Sequence, residues 1–324
     1  MTAEEIAKIK VCQVTDVGGI DDKTFNQTAW KGVQDAMEKL GFEGKYLESQ
    51  QQTDYEKNIN TFVEEKCDLI VTVGFLLGEA TKAGAEANPE QKFTIVDYTY
   101  DPQIPNVMGQ YYAVDQPSFL AGYLAAGMSK TGKVGTYGGI QIPPLEPFMT
   151  GFYNGVQYYN KQKGTNVEVL GWDPATKTGL FTGNFESLDD GRRMAETLMD
   201  EGADVIFPVA GPCGLGSAAA IKERGLMMIG VDTDMTISAP EYTDILLTSV
   251  LKNMDKVVFE AARLTARGNF PGGTTYVADM ANGGVGLAPY HAFEDKVPAE
   301  LKAEVEQVGK DIARGIIDPM AEVK

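Results

Sequence analysis

The feature that most limits what this chain can fold into is the return of one plan along its length: a short apolar run, a glycine turn, then a stretch of helical periodicity. Strands alternating with helices in this way build a parallel sheet covered by helices on both faces. The plan opens as a strand over residues 9–15, a turn at Gly18 and Gly19, and a helix over about 24–40. Strands over 45–48, 69–73 and 93–96 follow, with helices over about 55–66 and 78–86 between them. The same order then recurs. Residues 133–137 with Gly138 and Gly139 echo residues 10–15 with Gly18 and Gly19. Cys67-Asp68-Leu69-Ile70-Val71, ending at Gly74, is echoed by Ala203-Asp204-Val205-Ile206-Phe207, ending at Gly211. Phe93-Thr94-Ile95-Val96-Asp97 is echoed by Met228-Ile229-Gly230-Val231-Asp232. Every buried parallel strand is apolar, so a single echo would mean little. Three in one order, offset by about 120–140 residues, predict two similar lobes rather than one long sheet.

A helix over 118–130 is expected to hand the chain from the first lobe to the second. A strand over 245–250, a helix over about 253–266, strands over 274–277 and 285–288 and a closing helix over 299–313 complete the reading. A chain that crosses more than once between lobes makes a hinge of several strands, a construction that lets two rigid bodies close on a ligand. The predicted division is 1–130 with about 248–270, and 131–247 with about 271–324. With 324 residues, 43% of them hydrophobic, there is enough apolar side chain for two cores.

Charge and composition exclude several functions. A formal net charge of −18 repels the phosphate backbone, so no nucleic-acid partner is expected. No apolar run is long enough to span a bilayer, and residues 1–10 lack the apolar stretch of a secretory signal. The chain is therefore expected to be cytosolic, or to lack the segment that exported or anchored it. Cys12, Cys67 and Cys213 are odd in number with no C-x-x-C spacing, so no disulfide framework is expected, and Cys12 reads as a small buried thiol. The single histidine, His291, leaves zinc sites and a Ser-His-Asp triad short of ligands and bases and reads as a structural or surface residue. Neither a metal nor a cofactor is predicted.

In open parallel sheets ligands sit beyond the carboxyl ends of the strands. Those ends fall at 16–22, 74–77, 97–100, 138–144, 211–216 and 232–234; they hold glycines and acids but few bases or nucleophiles, the lining of a site for a neutral polar ligand. Gly211-Pro212-Cys213-Gly214-Leu215-Gly216 could turn amides toward a phosphate, but it is not G-x-G-x-x-G and no Walker lysine follows, so it reads as a strand-to-helix turn. Asp16, Asp21 and Asp22 lack the spacing of a calcium loop; Asp22 reads as a helix cap and Asp16 as a ligand contact. Spacing alone favours core or staple roles for Phe25 and Phe185, and a solvated Lys252.

The wording of the strand ends resembles one family, the basic membrane protein (BMP) lipoproteins, which are purine-nucleoside-receptor-like substrate-binding proteins of ABC transporters. The resemblance rests on Val14-Thr15-Asp16-Val17-Gly18-Gly19-Ile20-Asp21-Asp22-Lys23-Thr24-Phe25-Asn26-Gln27, on Val73-Gly74-Phe75, and on Ser118-Phe119-Leu120-Ala121-Gly122-Tyr123-Leu124-Ala125-Ala126. Gly151-Phe152, Ala210-Gly211, Gly214-Leu215-Gly216, Gly230-Val231-Asp232-Thr233-Asp234 and Leu247-Thr248-Ser249-Val250 extend it. It implies a type I periplasmic-binding-protein fold, an α/β fold of two Rossmann-like lobes joined by a multi-strand hinge. It further implies a non-enzymatic receptor that captures a purine nucleoside (adenosine, guanosine or inosine) in the interlobe cleft and hands it to an ABC transporter permease. The implied location is extracytoplasmic, periplasmic or at the cell surface, with a membrane link only through a lipid anchor. The implied ligand contacts are Asp16, Phe25, Asn26, Asp97, Phe185, Gly211, Asp232 and Lys252. The sequence departs from the family pattern in having no lipid-bearing cysteine, in Asp115 and Gln116, and in the pair Pro143-Pro144. A sugar or free-base receptor of the same fold and a nucleoside-processing enzyme are the alternative readings.

Overall fold

In a computed structural model that describes residues 9–323, the chain forms two compact units, the residues up to Tyr112 with Asn253–Ala278, and Ala113–Lys252 with the residues from Asp279 onward. Along the chain the first unit contributes β1 (Lys10–Val14), α1 (Phe25–Leu40), β2 (Glu43–Leu47), α2 (Asp54–Glu64), β3 (Leu69–Val73), α3 (Gly78–Ala87), β4 (Phe93–Val96) and β5 (Val107–Tyr112). The second unit follows with α4 (Asp115–Met128), β6 (Lys133–Gly138), α5 (Leu145–Lys163), β7 (Glu168–Leu170), the small hairpin β8 (Trp172–Asp173) and β9 (Thr178–Gly179), α6 (Leu188–Asp200), β10 (Val205–Val209), α7 (Cys213–Arg224), β11 (Met227–Asp232), α8 (Met235–Ser238) and β12 (Leu246–Lys252). The sequence then returns to the first unit for α9 (Met254–Ala266) and β13 (Thr274–Ala278), and to the second for β14 (Val285–Leu287) and α10 (Ala299–Ala313).

Each unit is built on a six-stranded sheet. The first has the order β13-β5-β4-β3-β1-β2, parallel throughout. The second has the order β14-β12-β11-β10-β6-β7, parallel except that β14 runs antiparallel to β12. Strand order reverses at β1/β3 in one sheet and at β6/β10 in the other, and a doubly wound sheet opens its binding crevice at such a reversal. The central strands are apolar because both of their faces are covered: all five residues of β3 and all five of β10 are buried. In the first unit Val14, Ile59, Phe62, Ile70, Leu77, Phe93 and Ile95 form the core. In the second, Tyr137, Leu198, Ile206, Ile221, Met228 and Leu246 do so. Burying each of these large side chains contributes ~1.5–3 kcal/mol.

Two helix pairs in the second unit meet backbone to backbone. A Cβ added at Gly122 or Gly155 would fall 2.0 Å from the carbonyl oxygen of Phe152 or Phe119, so α4 and α5 approach as closely as only glycine permits. Likewise a Cβ on Gly191 would lie 1.8 Å from the Cys213 carbonyl, and one on Gly216 would lie 1.9 Å from that of Leu188, which joins α6 to α7.

The structure corrects several expectations. Cys12 is not a thiol: it is disulfide-bonded to Cys67, 55 residues away, with Cα atoms 6.1 Å apart. The link forms because β3, which Cys67 precedes by two residues, lies beside β1 while β2 passes to the far side. Sequence separation conceals that adjacency. Cys213 is a buried free cysteine. Strand β5, helix α5 and helix α6 had no counterpart in the reading of the sequence, and α7 begins at Cys213, inside the glycine run. The pair Pro143-Pro144 leads into α5, Pro144 standing at its N-cap, where a missing amide hydrogen is tolerated.

Candidate functional site

In the first unit, the loop after β1 and the start of α1 form a buried polar network. Asp16, 8% exposed, follows β1 closely; its Oδ1 accepts from the Asn26 side-chain amide at 2.7 Å and from the Gly18 N–H at 3.0 Å. The Asn26 Oδ1 accepts from the Asp16 N–H at 3.3 Å. Asp22, 4% exposed, accepts from the backbone N–H groups of Asn26 (2.7 Å), Gln27 (3.0 Å) and Thr24 (3.1 Å), and from the Asn26 Nδ2 at 3.2 Å. It thus serves the first-turn amides of α1, whose N-cap residue, Thr24, makes no side-chain cap bond. One amide nitrogen bridges two buried carboxylates. Burial raises the Asp22 carboxyl to about 7, the Asn26 and Gln27 amides oppose the shift, and the nearby Asp16 charge adds to it.

Phe25 and the Asp16 carboxylate converge on Gly74, the residue after β3. A Cβ built there would stand 3.2 Å from the Phe25 Cε1 and 3.3 Å from the Asp16 Oδ2. Gly74 has φ +112°, a conformation side chains rarely adopt. Phe25 is half-buried and lies outside the hydrophobic core.

In the second unit, the segment before α6 lies against the end of β6. Thr182 N–H donates to the Gly138 carbonyl and Gly183 N–H to that of Gly139, each at 3.0 Å. Asn184 fixes the turn: its Oδ1 accepts from the Ser187 N–H at 2.9 Å and the Glu186 N–H at 3.1 Å, while its Nδ2 donates to Asp190 at 2.8 Å. The buried Cys213 N–H donates to the Phe185 carbonyl at 3.2 Å, and its thiol to the Asn184 Oδ1 at 3.4 Å. Burial pushes that thiol up to about 11, so it persists as a neutral donor rather than a nucleophile. The half-buried Phe185 ring lies beside Gly211, 4.0 Å from where its Cβ would be, and directly on Gly139.

The remaining candidates lie farther along the sheets. Asp97 follows β4 and Asp232 ends β11, and both take left-handed backbone, with φ +62° and +67°. Non-glycine residues held there cost about 1–3 kcal/mol and cluster at functional positions. Asp232 pairs in register with Leu251, so Lys252, at the end of β12, is one residue from its partner position. Lys252 is 2% exposed, with its Nζ 5.7 Å from the Phe148 ring centroid, where a solvated lysine was expected. Within the first unit the structure brings Asp16, Phe25 and Asn26 together. In the second it gathers Phe185 with Gly211, while Asp232 and Lys252 end the neighbouring strands β11 and β12. Reading the sequence missed the bridging arrangement of Asp22 and the seat at Gly139; the D-D-K-T-F-N run and the Gly138-Gly139 echo are the signals that could have found them. Among the described residues no group of three or more His, Cys, Asp or Glu side chains could hold a metal ion, and no helix is long and apolar enough to cross a membrane.

Comparison with known proteins gives a consistent picture. A family model described as "ABC transporter substrate-binding protein PnrA-like" matches residues 9–318. A CD4+ T-cell-stimulating antigen of Listeria innocua is 33% identical over 326 residues, covering 95% of this chain and 87% of that protein. An ABC transporter nucleoside-binding protein of Lactococcus lactis is 30% identical over 327 residues, covering 95% and 88%. The crystal structure of a solute-binding protein of an ABC transporter system from Aeropyrum pernix superposes with a TM-score of 0.86 at 28% identity, covering 96% of this chain and 92% of that one.

Proposed function

Because this chain belongs to the PnrA-like family of ABC transporter substrate-binding proteins, we propose that its ligand is a purine nucleoside, which it delivers to the permease of the importer. Substrate-binding proteins of ABC importers work outside the cytoplasm, a compartment in which a structural disulfide such as Cys12–Cys67 persists. Lipid anchoring belongs to the same proposal.

The observation that carries the nucleoside reading is the pair of half-buried phenylalanines, Phe25 and Phe185, each outside its unit's core and each against a strand-end glycine at the reversal of strand order. A purine offers two broad π-faces to such rings, whereas a pyranose offers only small C–H patches. The name of the Lactococcus relative supports the same class of ligand. In this reading Asp16 accepts an N–H from the base edge, with Asn26 beside it. Asp97 supplies a further acceptor, and the Gly211 turn admits the ligand close to the backbone. Asp232 accepts from ribose hydroxyls, while Lys252 donates to sugar oxygens. The role is binding without chemistry on the ligand.

Calorimetry with inosine, guanosine and adenosine against ribose and glucose tests it. Nucleoside binding is expected, and Phe25→Ala and Phe185→Ala each weaken it by ~1–3 kcal/mol, about five- to a hundredfold, with little change in melting temperature. Tight sugar binding with no response to nucleosides defeats the reading. So does release of free base from inosine or adenosine on incubation. Normal binding by both variants together with much lower melting temperatures would make the rings core residues.

A further inference from the structure

We infer that Gly139 is a positioning residue for Phe185: the missing side chain at 139 is what lets the ring lie where it does, and the affinity for a flat ligand depends on it. The inference rests on the proposed stacking role of Phe185. A Cβ built on Gly139 would stand 2.2 and 2.3 Å from the ring's Cε1 and Cδ1, distances that real Cβ atoms do not keep, and 3.0 Å from the Asn184 carbonyl oxygen, a tight contact. Unlike Gly74, Gly139 does not have positive φ, so its backbone would accept an alanine. Only the ring and the turn beside it stand in the way.

The surroundings decide what gives when a methyl is added. The Gly139 N–H donates to the Val209 carbonyl at 3.0 Å, and its own carbonyl accepts from Gly183, so the residue is bonded on both sides. The backbone at 184–187 is fastened by the Asn184 side chain, by the Cys213 N–H on the Phe185 carbonyl, and by the Ser187 hydroxyl that caps α6 through the Asp190 N–H at 3.1 Å. The glycine-mediated approach of α6 to α7, at Leu188 and Gly191, holds the C-terminal side of that backbone in place. The part with most freedom is the χ1 and χ2 rotation of Phe185, and turning it removes the face that the ligand would use. Gly211, with φ +53° and its Cβ direction 4.0 Å from the ring, bounds the other side. The ring is thus seated by the absence of side chains, within one unit, before any ligand arrives, which lowers the ordering cost of stacking.

The test is a double-mutant cycle of Gly139→Ala and Phe185→Ala, read by inosine calorimetry and thermal melting, with a crystal structure of the Gly139→Ala protein. Gly139→Ala alone is expected to weaken inosine binding tenfold or more and to show a rotated ring, whereas in the Phe185→Ala background it changes affinity less than twofold. If Gly139→Ala fails to fold, Gly139→Ala/Phe185→Ala is expected to fold, because the obstructing ring is gone. An unmoved ring, unchanged affinity, an equal loss in both backgrounds, or a double variant that also fails to fold overturns the inference. Failure of the nucleoside reading looks different: the parent binds no nucleoside, or Phe185→Ala binds normally, while the ring displacement in Gly139→Ala still decides the role of Gly139.

Discussion

The two units carry matching features at matching points of their sheets, yet they hold them by different means. Each has a left-handed glycine after the strand beyond the reversal (Gly74, Gly211), a left-handed aspartate at the end of the next strand (Asp97, Asp232), and a half-buried phenylalanine nearby. In the first unit the polar groups are fixed by a buried network of carboxylates around Asn26, and a disulfide ties β1 to the start of β3. In the second unit the aromatic ring is the fixed element, seated on a glycine and framed by a turn that a neutral thiol helps to hold. The two units therefore share where the backbone bends and differ in the means of immobilising a side chain.

The contrast can be broken most sharply at the disulfide. Closing a 55-residue loop restricts the unfolded chain by about 4 kcal/mol in the chain-entropy account. Cys12→Ala/Cys67→Ala should thus lower the protection of first-unit amides in hydrogen exchange while leaving β6, β10 and β11 at parent levels. Equal loss in both units would show that the disulfide does not act locally. The next effect is on pH dependence, a few kcal/mol at most. The Asp22 carboxyl titrates near 7 folded and near 3.8 when unperturbed, so the folded state holds the proton between those values. Its contribution to stability is full below about 4 and declines as pH rises toward 7. The stability difference between parent and Asp22→Asn should shrink across that window. A difference independent of pH would place the proton elsewhere.

Smaller effects sharpen the comparison. If Asp232 and Lys252 hold the ribose, Asp232→Asn or Lys252→Met should cost ~1.5–3 kcal/mol of nucleoside binding, and 2′,3′-dideoxy nucleosides should bind weakly to the parent and be indifferent to either change. Equal affinity of the parent for ribo- and dideoxy-nucleosides removes the assignment. Smallest of all, Asp97→Gly and Asp232→Gly relieve left-handed backbone and should raise stability by about 1 kcal/mol each in thermal melts while reducing affinity. A fall in both stability and affinity would show that these carboxylates support the fold.

What was legible in the sequence follows a physical divide. Strands buried on both faces, such as β3 and β10, read directly because they are almost wholly apolar runs, Thr72 being the one polar residue between them. Helix α1 read correctly to within a residue, since Gly41 ends it in left-handed backbone. Strand β5 did not, because a glycine and a glutamine interrupt Val-Met-Gly-Gln-Tyr-Tyr; its Gln110 is buried through a bond from Tyr112 of the same strand and one to Thr94 that only the neighbouring strand β4 supplies. Helix α5 was hidden by a proline in its first turn and by Gly151 and Gly155, which serve a neighbour and not the helix itself. Asp16 was marked as a ligand contact by its place at a strand end, and the other candidate residues were named by resemblance to a family. Spacing alone pointed Phe25 and Phe185 toward the core and Lys252 toward solvent, because which side of a turn a ring faces is decided by glycines distant in sequence.

The backbone contact between α4 and α5 bears on how this protein could be re-engineered. Gly122, Gly151 and Gly155 lie far along the chain from the ring loop, and a Cβ at any of them would collide with main-chain atoms that have nowhere to retreat. A library aimed at new ligands should therefore spend its diversity on the strand-end loops and keep these three codons fixed, since a single methyl there would remove clones from the pool before selection for binding began.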